Sequence, residues 1–143
     1  MRSSKRNSLP GFTGRRLRHK VMVSGKLVFG PGKADLLAGI RKTGSLAAAA
    51  RGLGMSYARA WRLVQEMHAA FAKPLVQMQR GGISNGGAIL TPAGEKALAL
   101  YIGMERDALA ATEPAWKKFR SLVHPAIRQA GKQPKQPKQP RAC

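Results

Sequence analysis

A group of aromatic and hydrogen-bonding side chains alternates with apolar residues between positions 56 and 71. Ala60, Val64, Met67 and Phe71 follow one another at spacings of four, three and four residues, so they share one face of a helix. The other faces carry Tyr57, Arg59, Trp61, Arg62 and Gln65. Arg and Gln side chains can form paired hydrogen bonds with base edges in the major groove of DNA. The stretch is a candidate recognition helix, although an ordinary alanine-rich helical hairpin has the same apolar spacing.

The residues just before this helix predict a second helix and a tight turn. Ser45 and Ser56 each stand where an N-cap is expected, one at the start of each helix. Gly54, between the two helices, can adopt the positive φ that a sharp turn needs. Ala50, Gly54 and Ala60 have the spacing of a helix-turn-helix, in which a small residue permits a close crossing and an apolar residue docks the second helix.

A glycine-rich hairpin is predicted directly after the candidate recognition helix. Short apolar runs at 75–78 and 88–90 predict two strands, and Asn85-Gly86 is a favourable turn pair between them. A basic hairpin in this position can act as a wing that follows the DNA backbone or enters the minor groove, with Arg80 as the probe. A plain surface hairpin is the alternative.

Two further elements are predicted ahead of the helix-turn-helix. Residues 17–29 are rich in β-favouring side chains and predict one strand or a small hairpin, with Ser24-Gly25 as a candidate turn. A helix is predicted over residues 33–43, and Gly44 is a natural residue to end it.

A long apolar helix is predicted to begin at Pro92, with Thr91 as its N-cap. Its apolar residues are Leu98, Leu100, Tyr101, Ile102, Met104 and Leu109. This is more apolar surface than one side of a small domain needs, so the helix is expected to dimerise, with packing inside one chain as the alternative. Thr112-Glu113-Pro114 is expected to break or kink the helix and to cap a new one over about 115–123, which would place Trp116, Phe119 and Leu122 on one face.

The charge of the chain favours a polyanionic partner. Its 143 residues include 26 Lys and Arg but only 6 Asp and Glu, for a formal net charge of +20. Nucleic acid is the usual partner of such a protein, although an anionic membrane surface or an acidic protein would also attract it. All the acidic residues lie between Asp35 and Glu113, so both ends of the chain are purely basic.

Several function classes find no support in the sequence. The single cysteine, Cys143, excludes an internal disulfide and a cysteine-based zinc finger. His19, His68 and His124 have no partner spacing that would build a catalytic or metal site, so neither an enzyme nor a cofactor or metal is expected. No apolar run has the length of a signal peptide or membrane span, which predicts a cytoplasmic protein without membrane association.

Three runs carry a family resemblance: VSGKLVFG, KADLLAGIRKTGSLAAAARGLGMSYARAWRLVQEM and RGGISNGGAILTPAGEKAL. Together they resemble the N-terminal DNA-binding domain of the molybdate-responsive regulator (ModE) family, a relative of the LysR-type winged helix. The resemblance covers roughly residues 21–109. It implies a mainly helical winged helix-turn-helix with a small β-hairpin, followed by a long dimerisation helix, and a homodimer on a palindromic DNA operator.

The resemblance places Ser56, Tyr57, Arg59 and Arg62 on the recognition helix and Arg80 on the wing, and Trp61 matches the family's tryptophan. The candidate residues for contact with double-stranded DNA are Ser45, Ser56, Tyr57, Arg59, Trp61, Arg62, Gln65, Arg80 and Asn85. The predicted regions are a basic disordered arm (1–16), the winged helix-turn-helix (17–91), a dimerisation helix or helix pair (92–123) and a basic disordered tail with Lys-Gln-Pro repeats (124–143).

One departure from the family pattern affects the expected function. Regulators of this family carry molybdate-binding modules after the DNA-binding domain, and the residues after Leu109 leave no room for one. A regulator without its own molybdate-binding domain is therefore expected, which leaves room for a separate effector-sensing protein as a partner. The alternative function is nonspecific binding of nucleic acid, as in a nucleoid or RNA-associated protein, with the basic ends dominating.

Overall fold

The computed structural model describes residues 15–79 and 87–129, and helices dominate these parts of the chain. In chain order the elements are β1 (Val21–Val23), β2 (Lys26–Phe29), α1 (Pro31–Thr43), α2 (Leu46–Gly52), α3 (Tyr57–Ala70), β3 (Val76–Met78), β4 (Ala88–Leu90), α4 (Pro92–Ala111), α5 (Glu113–Arg120) and α6 (Pro125–Gln129). The strands form two separate antiparallel hairpins, β1–β2 and β3–β4.

The first hairpin settles the choice between one strand and two in residues 17–29. β1 pairs with β2 in antiparallel register, with Val23 opposite Lys26. Ser24 and Gly25 connect them with φ values of 50° and 75°. Positive φ at both central residues is the geometry of a type I′ turn, whose twist matches that of the flanking strands. The predicted turn pair is therefore confirmed.

Helix α1 begins two residues earlier than the sequence predicts. Pro31 takes the first helical position, where the missing N–H costs nothing and the fixed φ suits a helix. Gly44 ends the helix as predicted, with a φ of 69° and its N–H donated to the carbonyl oxygen of Ile40.

The core lies where α1, α2 and α3 meet the second hairpin and the first half of α4. Its buried apolar residues are Phe29, Ala34, Leu36, Leu37, Ile40, Leu46, Ala49, Ala50, Ala60, Val64, Met67, Leu75, Val76, Ala88, Leu98 and Tyr101. Helices α1 and α2 cross closely at Gly39, where an added Cβ would lie 3.0 Å from the Cβ of Ala49. Three helices and a following hairpin around one core make the predicted winged helix-turn-helix, and this fold class is confirmed.

The joint between α4 and α5 differs in detail from the sequence prediction. The chain does break at Thr112, but the side chain of this residue does not cap α5. Its hydroxyl donates to the carbonyl oxygen of Ala108 at 2.6 Å, and its oxygen accepts from the guanidinium of Arg15 rather than from an N–H of α5. Helix α5 ends at Arg120, so Leu122 lies beyond it with 81% of its surface exposed and does not extend the predicted apolar face. The short helix α6 lies in the region that the sequence predicts as a disordered tail.

The segment of residues 15–20, here called the strap, has no regular secondary structure but is held against α1 and α4. Arg18 donates to the carboxylate of Asp35 in α1 at 2.6 Å. The hydroxyl of Tyr101 in α4 donates to the carbonyl oxygen of His19 at 2.8 Å, and the two rings lie 4.7 Å apart between centroids. Arg15, which lies in the predicted arm (1–16), donates to Thr112 and Glu113, so the end of that arm belongs to the folded unit.

Gly94 in the first turn of α4 provides a test of the packing between that helix and the second hairpin. An added Cβ there would overlap the carbonyl oxygen of Leu75, which accepts a hydrogen bond from the N–H of Thr91. Because backbone atoms cannot move aside as a flexible side chain can, we expect Gly94→Ala to lower the free energy of unfolding by about 2–3 kcal/mol in urea denaturation.

Gly103 in the same helix is the matched control for this substitution. An added Cβ there would make only an ordinary contact, 3.5 Å from a guanidinium nitrogen of Arg106. Gly103→Ala should therefore stabilise the protein by about 0.5–1 kcal/mol through helix propensity alone. Equal effects of the two substitutions would contradict the packing described at Gly94.

Tyr101 makes stability depend on alkaline pH. Burial of its hydroxyl, followed by the negative charge of Glu105, raises the pKa of Tyr101 from 10.0 to about 12. The unfolded chain ionises this group first, so its contribution is complete below about pH 10 and is lost as the pH rises towards about 12. Urea denaturation should show a steeper loss of stability for the wild type than for Tyr101→Phe above about pH 10. A pH-independent difference between the two proteins would refute this.

Candidate nucleic-acid interface

Helix α3 buries one face completely and exposes the other. Ala60, Val64 and Met67 are each 0% exposed, as the helical spacing predicts. Phe71, the fourth residue of the predicted stripe, is half-buried and stands just after the helix, where its N–H donates to the carbonyl oxygen of Met67. The buried face anchors α3, and its orientation on the core determines which side chains meet the solvent.

All five side chains that the sequence places away from the apolar face of α3 are exposed to solvent. These are Tyr57, Arg59, Trp61, Arg62 and Gln65. Tyr57 and Trp61, one helical turn apart, are 51% and 42% exposed, which is unusual for large aromatic residues in a small domain with a well-filled core. The helix therefore presents two aromatic rings together with two guanidinium groups and an amide on one surface.

The two serines in the candidate site have a demonstrable structural role. Ser45 Oγ accepts a hydrogen bond from the N–H of Ala48 at 3.1 Å, and Ser56 Oγ accepts one from the N–H of Arg59 at 3.1 Å. Both are the predicted N-caps. Between these two helices, Gly54 adopts the predicted positive φ, at 66°. These three features fix the approach of α2 to α3.

The only acidic residue of α3 is neutralised by a residue that the sequence analysis did not single out. Lys33 Nζ lies 3.3 Å from Glu66 Oε2, and the lysine side chain is only 5% exposed. Lys33 stands three residues before Leu36 and four before Leu37, so the helical period itself places it on the buried face of α1. The ion pair compensates the charge of Glu66, whose side chain stays 49% exposed, and the other exposed side chains of α3 are cationic or neutral.

The base of the second hairpin is bonded to the turn that precedes α2. The N–H of Ala88 donates to the carbonyl oxygen of Gly44 at 2.9 Å. The N–H of Gln79 donates to the carbonyl oxygen of Gly87 at 2.7 Å. β3 and β4 pair with Val76 opposite Leu90. The hairpin is therefore fixed beside the helix-turn-helix, in the place of a wing.

The two predicted wing residues, Arg80 and Asn85, lie outside the described residues. The structure thus brings seven of the nine predicted DNA-contacting residues, all except these two, into the helix-turn-helix. Ser45 stands at the start of α2, while the other six stand at the start of α3 or within it.

The arrangement has the parts needed to read double-stranded DNA. An exposed helix with guanidinium and amide groups can enter the major groove, where these groups bond to base edges. A fixed hairpin next to it can contact the backbone or the minor groove. In residues 15–79 and 87–129, no helix combines the length and hydropathy that crossing a bilayer requires.

Comparison with known proteins identifies the class. Residues 34–95, which run from α1 to the first turn of α4, match the family described as bacterial regulatory helix-turn-helix protein, lysR family. This part of the chain is a LysR-type DNA-binding helix-turn-helix.

The similarity extends to a molybdenum-pterin-binding protein and to a transcriptional regulator. The chain is 45% identical over 95 residues to the molybdenum-pterin-binding protein MopB of Rhodobacter capsulatus, covering 66% of this chain and 35% of that protein. It is 37% identical over 76 residues to the DNA-binding transcriptional dual regulator ModE of Escherichia coli K12, covering 53% of this chain and 29% of that protein. The helix-turn-helix is thus of the ModE type, and the chain spans only about a third of the length of these relatives.

Proposed function

We propose that this protein is a sequence-specific transcriptional regulator that binds a palindromic DNA operator as a homodimer in the cytoplasm. The observation that carries the proposal is the exposed face of α3, where Tyr57, Trp61 and three hydrogen-bonding side chains stand clear of a fully buried opposite face. The similarity to ModE over this region supports the same function, because that relative from E. coli is named as a DNA-binding transcriptional regulator.

The side chains of the site would divide the work of recognition. Arg59, Arg62 and Gln65 would bond to base edges, and the two exposed rings would contact thymine methyl groups and sugars. The helix N-termini at Ser45 and Ser56 would lie near phosphates, because the positive end of a helix dipole favours anions. Arg80 and Asn85 would contribute from the wing.

Dimerisation is proposed for α4 because apolar side chains on this helix remain uncovered. Leu100 and Met104 stand four residues apart on one face and are 59% and 45% exposed. Leu98 and Tyr101 of the same helix are buried in the core of their own chain, so one helix serves both purposes. Two copies joined along α4 would present two recognition helices to two operator half-sites.

The described residues would supply DNA recognition and dimerisation, while a separate effector-sensing protein supplies the signal. MopB carries molybdenum-pterin binding in its name, and a molybdenum-related signal is accordingly the first to test. The competing function, nonspecific binding of nucleic acid, is favoured by one observation, the net charge of +20.

Substitutions on α3 test sequence-specific recognition. We expect Arg59→Ala and Arg62→Ala each to weaken binding to an operator, selected from random DNA by the wild type, by about 1–3 kcal/mol, because each removes a two-point contact with a base. Binding to unrelated DNA should fall much less. Fluorescence anisotropy at about 0.15 M salt measures both affinities.

Arg106→Ala serves as the control, since it removes an exposed cation of α4 without touching α3. It should leave the preference for the operator over unrelated DNA unchanged. If the wild type shows no preference at this salt concentration and only a steep salt dependence, nonspecific binding is the correct function.

Charge introduced on α4 tests the dimer. Leu100→Asp and Met104→Asp should each shift the protein towards monomers in sedimentation equilibrium, raising the dimer dissociation constant by about tenfold or more, because a carboxylate would be desolvated in an apolar interface. Ile102→Asp is the matched control, as Ile102 is 47% exposed on the opposite face of the same helix. An equal effect at all three positions would argue against this face.

A further inference from the structure

Arg15 is nearly enclosed although it comes from a basic segment at the surface. Only 12% of its side chain is exposed. Its guanidinium donates to Thr112 Oγ1 at 2.8 Å, to the carbonyl oxygen of Leu109 at 2.8 Å and to Glu113 Oε2 at 2.9 Å. The same group lies 5.2 Å from the ring centroid of Trp116. These four contacts reach both sides of the joint between α4 and α5.

The chemistry of the joint matches a guanidinium group. Leu109 is in the last turn of α4, where carbonyl oxygens lack helical partners and a cation complements the helix dipole. The Thr112 hydroxyl gives its proton to the carbonyl oxygen of Ala108, so its own oxygen is available as an acceptor. Glu113 stands in the first turn of α5, where a negative charge is favoured. Arg15 therefore satisfies groups of both helices at once.

Few other contacts fix the direction of helix α5, one being the hydrogen bond from the N–H of Trp116 to the carbonyl oxygen of Thr112 at 2.8 Å. The helix contains no buried residue, and its N-terminus has no side-chain cap. Pro114 in its first turn cannot donate the N–H that would extend the hydrogen bonding of α4 across the joint. The angle between the two helices thus depends on contacts at the joint. Among these are the hydrogen bonds from the planar, charged guanidinium group of Arg15.

Arg15 can fix this joint because the rest of the strap is anchored to α1 and α4. Arg18 is paired with Asp35 of α1, and the carbonyl oxygen of His19 is bonded to Tyr101 of α4. The strap therefore links the joint to the body of the winged helix-turn-helix.

We propose that Arg15 is a positioning residue that fixes the angle between α4 and α5, and through it the apolar surface offered to a second copy of the chain. Leu100 on α4 and Phe119 on α5 are 59% and 61% exposed, and the angle between the helices sets how these two apolar side chains stand relative to each other. The inference rests on the proposed dimer. It adds that the strap determines how well two copies fit together.

The test combines a local probe with a measure of assembly in the full chain. Trp61→Phe leaves Trp116 as the single tryptophan, whose quenching by acrylamide reports on the joint. In this background Arg15→Ala should raise the quenching constant about twofold and the dimer dissociation constant about tenfold, since charge-assisted hydrogen bonds are lost. Arg15→Lys should recover only part of both, because an ammonium group cannot bond to three acceptors in one plane or stack on the indole.

Lys20→Ala is the control within the strap, as Lys20 is exposed, and it should change neither quantity. Circular dichroism checks that every variant retains its helices. Unchanged quenching in Arg15→Ala, or raised quenching with an unchanged dimer constant, overturns the inference while leaving the proposed dimer in place. A wild type that sediments as a monomer at all concentrations refutes the proposed dimer itself, and this inference with it.

Discussion

Burial of one face of α3 is the constraint on which the rest of the structure depends. Val64 and Met67 are fully enclosed, and each contributes about 1.5–3 kcal/mol relative to exposure. The side chains of a helix have fixed angular positions around its axis. Burying Val64 and Met67 therefore fixes the direction in which the opposite face points. Ala60 and Val64 are buried in the core, so Arg59 and Arg62, which lie on other faces of the helix, point to solvent. The core thus sets the orientation of the face of α3 that is proposed to read DNA.

Other contacts maintain this orientation at its edges. Lys33 ties α1 to the side of α3 through an ion pair that compensates the charge of Glu66, the acidic residue of α3. The carbonyl oxygen of Gly44 receives the N–H of Ala88 and fixes the wing beside the helix-turn-helix. At the far end of the unit, Arg15 performs the corresponding role for the joint between α4 and α5. In each case a polar group of one element satisfies a group of the next.

Much of this fold could be predicted from the sequence because its signals are local. A cap depends on one hydroxyl and an N–H three residues away, which is why Ser45 and Ser56 were identified correctly. The turn at Gly54 follows from a residue that tolerates positive φ. The identity of the exposed side chains on α3 follows from the helical period alone.

Contacts between distant parts of the chain could not be predicted in this way. Thr112 has the residue type of a cap, yet its hydroxyl donates to the preceding turn of α4. The hydrogen bond that its oxygen accepts comes from Arg15, 97 positions earlier in the chain. Such pairing depends on where the strap returns along α4, and no local pattern specifies that path. By itself the sequence determined the elements, their caps and the face of α3 that meets solvent. Only the tertiary structure decided which charges pair, because pairing requires the packed helices to bring them within hydrogen-bonding distance.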